Sequence, residues 1–243
     1  MRMIKFAERT AKEILRDPLT VAFGLGFPLV VLLLLTAIQA NIPVSLFEID
    51  SLTPGIAVFG LSFITLFSAT LISKDRTSSL LERLRTTPLS SRDYILGYTL
   101  PILPIALAQS IVCYLVALLL GMTPSIGIIY ALLFVLPTSV YFIALGLLCG
   151  SIFTDKQVGG ICGALLTNLS AWLSGTWFDL ELVGGAFKKI AYALPYVHAV
   201  ELQRGLLAGN YDTILPHLLW VLAYSALTYA AAVLVFTRKL RRG

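Results

Sequence analysis

The stretch SKDRTSSLLERLRTTPLSSRDYILGY, residues 73–98, decides how the rest of the chain is read. It holds eight of the 31 charged residues: Lys74, Asp75, Arg76, Glu82, Arg83, Arg85, Arg92 and Asp93. Residues 54–73 before it carry no charge, and neither do residues 95–154 after it. A charged island therefore separates two apolar stretches, and it also carries Leu80, Leu81 and Leu84.

The apolar stretches set the class. The chain has 243 residues, 58% of them hydrophobic and only 13% charged, with mean hydropathy +0.88. Soluble domains average about 25% charged residues. So few charges do not cover a soluble surface, and the bilayer is expected to be the solvent for most of the chain. The net charge of +5 is not gathered into a basic domain interleaved with aromatics, which argues against a nucleic-acid partner. Cys113, Cys149 and Cys162 lie in apolar runs at no metal-site spacing and read as small packing residues. Charges near the N-terminus run to Asp17, and residues 18–43 carry none. That run is too long for a signal-peptide core and no A-x-A site follows it, so it reads as a retained first span.

A crossing helix needs about 20 apolar residues. Six candidates follow: residues 21–39, 54–73, 97–120, 126–151, 158–178 and 214–236. The Gly and Pro of GMTPS, 121–125, divide the third from the fourth. Fifteen of the 18 Lys and Arg then fall on the side of the termini, leaving Lys188, Lys189 and Arg204 on the other. The bias predicts cytoplasmic termini and a cytoplasmic island. Residues 179–213 are half apolar, and two short helices broken at Pro195, lying at the outer interface or re-entering it, fit them. Residues 1–18 read as an interfacial helix. Its apolar stripe is Met3, Ala7, Ile14 and Leu15, and Lys5, Arg9, Lys12 and Arg16 are available to anionic headgroups.

The expected spans hold almost no ionisable residue, whereas intramembrane enzymes and ion-coupled transporters keep such groups at depth. His198 and His217 read as separate interfacial polar residues. Gly146-x-x-x-Gly150 and Gly159-x-x-x-Gly163 favour close helix approach, and Trp172 and Trp177 fit an aromatic belt. Such an interior suits an amphipathic or lipid-like cargo better than a small ion. An intramembrane enzyme is the distant alternative. No G-x-x-x-x-G-K-[ST] loop is present, so uphill work needs energy from elsewhere.

Leu80, Leu81 and Leu84 share a helical face, Pro88 ends that helix, and Ser90-x-x-Asp93 resembles a capping box opening the next. The island thus reads as a short amphipathic helix, about residues 76–86 within 74–88. Its leucines suit a groove on a partner, and its charges set register.

These residues resemble the signature of ABC-2 type permeases, roughly E-R-x-S-G-T-L-E-x-L-x-x-[ST]-P-[LM]-S followed by L-G-K. Asp75–Arg76, Ser78, Leu81–Glu82, Thr87–Pro88–Leu89–Ser90 and Leu96–Gly97 match, while Ser79 replaces the usual Gly and Tyr98 the usual basic residue. Pro54–Gly55–Ile56 is similar to the family's opening of span 2. Pro195, Arg204 and Gly209 are similar to its segment before span 6. The resemblance implies a single all-α transmembrane domain over 1–243, with six spans, a cytoplasmic coupling helix and an extracellular helical hairpin over 179–213. It further implies one permease half of an ATP-driven exporter in the plasma (inner) membrane, pairing with a second half and with separate ATPase subunits. ATP and Mg would be bound by those subunits and no cofactor by this chain.

Asp75, Arg76, Leu80, Leu81, Glu82, Arg83, Leu84, Asp155 and Lys156 are then the expected ATPase-coupling residues. Phe63, Phe67, Asn168 and Trp172 are expected along the cargo path, and Pro195 and Arg204 at an outer gate. No catalytic or metal residue is expected. Export of an amphipathic small molecule, drug or lipid-like compound is the leading reading, and export of a lipid-linked polysaccharide the alternative.

Overall fold

The computed structural model describes residues 2–78 and 91–242, and every regular element among them is helical. In order they are α1 (Arg2–Leu15), α2 (Pro18–Gln39), α3 (Ile49–Thr77), α4 (Ser91–Leu119) and α5 (Gly127–Ile152). Then come α6 (Asp155–Val158), a π-helical segment (Gly159–Leu166) and α7 (Thr167–Leu173). The chain closes with α8 (Leu180–Val183), α9 (Gly185–Ala193), α10 (Pro195–Ala208) and α11 (Tyr211–Arg242).

Five of these helices, α2, α3, α4, α5 and α11, are long and apolar enough to cross a bilayer. The expected fifth crossing, 158–178, is instead a run of three helical pieces, α6, the π segment and α7, with no piece of crossing length. The π turn begins at Gly159–Gly160, where no side chain resists a wider helix. Thr167 Oγ1 donates to the Cys162 carbonyl at 2.9 Å, taking up a carbonyl displaced by the i→i+5 pattern. Helix α3 begins five residues before the expected span and runs four residues past it, to Thr77, because its last turn is held on three sides as described below.

Helix α3 is the central helix, buried along most of its length against α2, α4, α5 and α10. Small residues let the others approach. A Cβ on Gly150 would stand 2.5 Å from the Ala69 carbonyl oxygen, and one on Gly146 would strike Thr65 and Ser68. Gly146-x-x-x-Gly150 is therefore the α5 face that seats on α3. In the second small-residue motif, Gly159 has open space and Gly163 meets only Leu66 side-chain atoms, at 3.4 Å or more. Gly150→Leu is expected to push α5 off α3 and cost at least about 3 kcal/mol, since backbone cannot yield as a flexible side chain can. Thermal unfolding of the variant in nanodiscs checks this.

Helices α2 and α11 expose Phe23, Val30, Leu34, Leu219, Leu227 and Leu234, an apolar exterior that suits lipid. Both termini lie at one end of the bundle. There α1 packs on the start of α4, Phe236 of α11 meets Tyr94, and Lys239 Nζ donates to the Ile152 carbonyl at 3.2 Å.

The buried stripe of α1 differs from the expected one. Phe6, Thr10 and Ile14 are buried, one turn apart, while Leu15 is 71% exposed. The Phe6 ring packs edge-on against Tyr94 and Tyr98, with centroids 5.5 and 5.0 Å away. It fits because position 97 is glycine, where any Cβ would collide with it. The helix thus turns its aromatic residue to α4 and leaves Ile4 and Leu15 outward.

Candidate functional site

The terminal end of the bundle gathers the charged side chains that the apolar helices lack. Asp75, in the last turn of α3, is only 2% exposed. Arg9 of α1 grips it with two parallel bonds, Nη1 to Oδ2 at 2.6 Å and Nη2 to Oδ1 at 2.8 Å. The Tyr98 hydroxyl of α4 donates to Oδ2 at 2.7 Å. A two-pronged guanidinium bond is among the stronger protein hydrogen bonds and fixes orientation as well as distance. Burial pulls the Arg9 guanidinium down, but the Asp75 bonds and charge outweigh it and hold Arg9 above its usual value. Glu13, one turn further along α1, pairs with Arg9 at 2.6 Å. Burial, then the Asp75 charge, pushes its carboxyl above the usual range.

Arg76, the next residue, turns the other way. Its Nη1 donates to the carbonyls of Gly150 at 2.7 Å and Phe153 at 3.3 Å, capping the C-terminus of α5. Ser73 Oγ donates to Asp155 Oδ1 at 3.2 Å. Through these bonds the last turn of α3 is tied to α1, α4 and the turn that follows α5. That turn is itself set by a capping box between Thr154 and Gln157, and it leaves Asp155 and Lys156 exposed.

Asp75 and Arg76 thus belong to the end of α3, not to a separate island helix. Asp75 is buried, and Arg76 is turned to the end of α5. Leu80, Leu81, Glu82, Arg83 and Leu84, with the expected helix 76–86 beyond Ser78, lie outside the described residues. So does Ser79. Tyr98, which stands where the family has a basic residue, gives its hydroxyl to the Asp75 carboxylate alongside Arg9.

At the opposite end, Arg204 of α10 joins three elements. Its Nε donates to the Ser51 carbonyl at 3.2 Å, Nη2 to the Gly175 carbonyl at 3.0 Å, and Nη1 to Glu201 at 2.9 Å. Pro195 opens α10 at its first turn, where its missing N–H costs nothing. A cavity of about 550 Å³ opens beside them, lined by Trp177, Phe178, Tyr192, Val197, Glu201 and Arg204 among others.

The expected cargo-path residues differ in burial and neighbours. Phe67 is 4% exposed and packed against Gly24, while Phe63 meets Phe27 at a tilt and Phe59 edge-on. Asn168 bonds the Ala164 carbonyl on an exposed face, and Trp172 is 55% exposed beside Phe178. Spacing alone missed Arg9, whose role depends on a partner 66 residues away. It also treated His198 and His217 as separate, and the structure joins them. Among the described residues no group of three His, Cys, Asp or Glu side chains is placed to hold a metal.

Residues 4–208 match the family described as ABC-2 type transporter. That is most of the chain, so the protein belongs to the ABC-2 type transporter family and is a permease component of an ABC transporter, a multi-pass membrane protein. No curated protein matches the chain.

Proposed function

We propose that this chain is one permease half of an ATP-driven exporter, energised by a separate ATPase subunit that docks at the terminal end of the bundle. The observation that carries the reading is the bracing of the last turn of α3 by Arg9, Tyr98 and the turn after α5. A rigid end is what a docking segment at 79–90 needs to pass motion into α3. The exposed Asp155 and Lys156 form the second, smaller contact. Both termini are cytoplasmic in this reading, by the distribution of Lys and Arg.

The run from Asp155 to Leu173, with a few residues beyond it, makes a sixth crossing, whose π turn is tolerated where neighbouring helices or a second permease half cover it. ATP and Mg are bound by the ATPase. The cargo is amphipathic, a small molecule, drug or lipid-like compound, in keeping with a chain whose spans offer apolar surface and few hydrogen-bonding groups.

Affinity purification of the tagged chain at native expression tests the docking claim. An ABC ATPase subunit and a second permease chain are expected in stoichiometric amounts. Recovery of the chain alone under conditions that preserve membrane complexes would contradict it.

A further inference from the structure

His198 lies on α10 and His217 on α11, and their Nδ1 atoms are 2.8 Å apart. The Nε2 of His198 lies 3.0 Å from the Tyr192 carbonyl oxygen at the end of α9. A carbonyl only accepts, so that Nε2 carries a hydrogen. A neutral His198 then has a bare Nδ1, and the hydrogen between the rings belongs to His217. One directed string results: His217 Nδ1–H to His198 Nδ1, and His198 Nε2–H to Tyr192. It stitches α9, α10 and α11 together. The His198 ring is also stacked on Trp220 of α11, with centroids 4.9 Å apart and planes 7° from parallel.

The string has a fixed proton capacity. One added proton goes to His217 Nε2 and breaks neither bond. A second has only His198 Nδ1 to go to, and that atom is the acceptor of the inter-ring bond. Two imidazolium rings would then face each other N–H to N–H with like charges in contact.

We propose that the His198–His217 pair is a proton-operated latch, which fastens α9 and α10 to α11 until both rings are charged and then releases them.

The surroundings favour the first proton and not the second. Glu201, one turn along α10, attracts positive charge but is already paired with Arg204 at 2.9 Å. From α9, Tyr192 presents its ring edge-on to His198 at 6.0 Å, with Lys188 5.7 Å from that ring. Lys188 in turn pairs with Glu181 of α8. From α11, Tyr224 stacks on Trp220 and its hydroxyl is given to the Ala193 carbonyl. Helix α5 has no acid or amine, only Tyr130, Tyr141 and Cys149, and α7 has no titratable residue. Helix α3 brings Asp50 at its start, engaged by Thr123.

Burial, with the neighbouring His217, holds His198 below the ordinary histidine value of 6.5. Folded His198 therefore binds fewer protons than a free ring does. Its stabilising effect is full above about pH 6.5 and is lost as pH falls below it. The latch needs only the geometry. That it senses acid on the outer side rests on the cytoplasmic placement of the termini proposed above.

The test uses the full chain in nanodiscs, without nucleotide or partner. Protection of residues 185–208 against hydrogen exchange, corrected for intrinsic rates, is followed from about pH 8 to about pH 4.5. Protection is expected to fall progressively as pH drops below about 6.5. His217→Gln, which offers an amide donor or acceptor but never a charge, is expected to lose clearly less protection, because only the buried His198 still titrates. Protection that is independent of pH in the parent chain, or an equal fall in His217→Gln, would overturn the latch.

Oriented proteoliposomes of Trp172→Phe/Trp177→Phe, with Trp220 as the remaining indole, then report the side. Quenching by acid opposite the termini supports an outer sensor. Quenching only by acid on the terminal side would keep the latch and overturn the orientation.

Discussion

Replacing Arg9 by Ala is expected to lower the stability of the chain by about 2–3 kcal/mol, although Arg9 sits on a short peripheral helix. The reason is what it leaves behind. Asp75 is almost fully enclosed, and without Arg9 its carboxylate keeps a single donor among the described residues, the Tyr98 hydroxyl. Removing one partner of a buried ion pair costs about 3–5 kcal/mol, and the figure here is smaller because Arg9 is 35% exposed and partly solvated. Asp75→Asn is expected to cost less, since the released guanidinium can turn to solvent. Combining Asp75→Asn with Arg9→Ala should return about 1 kcal/mol relative to Arg9→Ala alone, because no unpaired charge remains. Thermal unfolding in nanodiscs closes this double-mutant cycle. A double variant that falls by the sum of the two single losses would show that the pair carries no stability.

The second large effect lies in the segment that α3 leads into. Leu80→Asp with Leu84→Asp is expected to weaken association with the ATPase by about 100-fold or more, as truncating central apolar anchors of an interface does. Two carboxylates on the docking face would each have to be desolvated there without a partner. The permease itself should fold as before, because the bonds bracing α3 and α5 do not include either leucine. Arg83→Gln, at one of the charges expected to set register, should mainly change the salt dependence of association. Titration of the purified ATPase onto nanodisc-held variants measures all three. Unchanged affinity in the leucine double variant would remove the segment from the interface.

The long helices were legible in the sequence because bilayer physics writes them plainly. Uncharged runs of about 20 residues separated by GMTPS and by the charged island place α2, α3, α4, α5 and α11 within a few residues of their observed ends. The small-residue spacing of Gly146 and Gly150 pointed to a close helix approach but not to α3 as the partner, and the same spacing at Gly159 and Gly163 makes no such approach among the described residues. The face of α1 was not. A stripe through Met3, Ala7, Ile14 and Leu15 satisfies helical spacing, and only the pocket made by Tyr94, Gly97 and Tyr98 selects Phe6 instead.

The π segment escaped for a related reason. Apolar residues on all sides carry no periodicity that separates i→i+5 from i→i+4 pairing, although Gly159–Gly160 marks the spot. Arg9–Asp75 and His198–His217 are tertiary pairs: Arg9 and the two histidines each read alone as an interfacial polar group, and Asp75 as a coupling residue, so neither pairing shows in the sequence. The island changed its meaning most. Its first two family-matching residues, Asp75 and Arg76, close α3, one buried and the other turned to the end of α5.

The central claim is that energy enters this chain from a separate ATPase. Reconstitution tests it most directly: proteoliposomes holding the permease alone, the ATPase alone, and both together are assayed for ATP-dependent movement of a panel of amphipathic and lipid-like compounds. The account predicts transport and compound-stimulated hydrolysis only with both components, and loss of both with Leu80→Asp/Leu84→Asp. ATP hydrolysis by the permease alone, or export that proceeds without the ATPase, would contradict it.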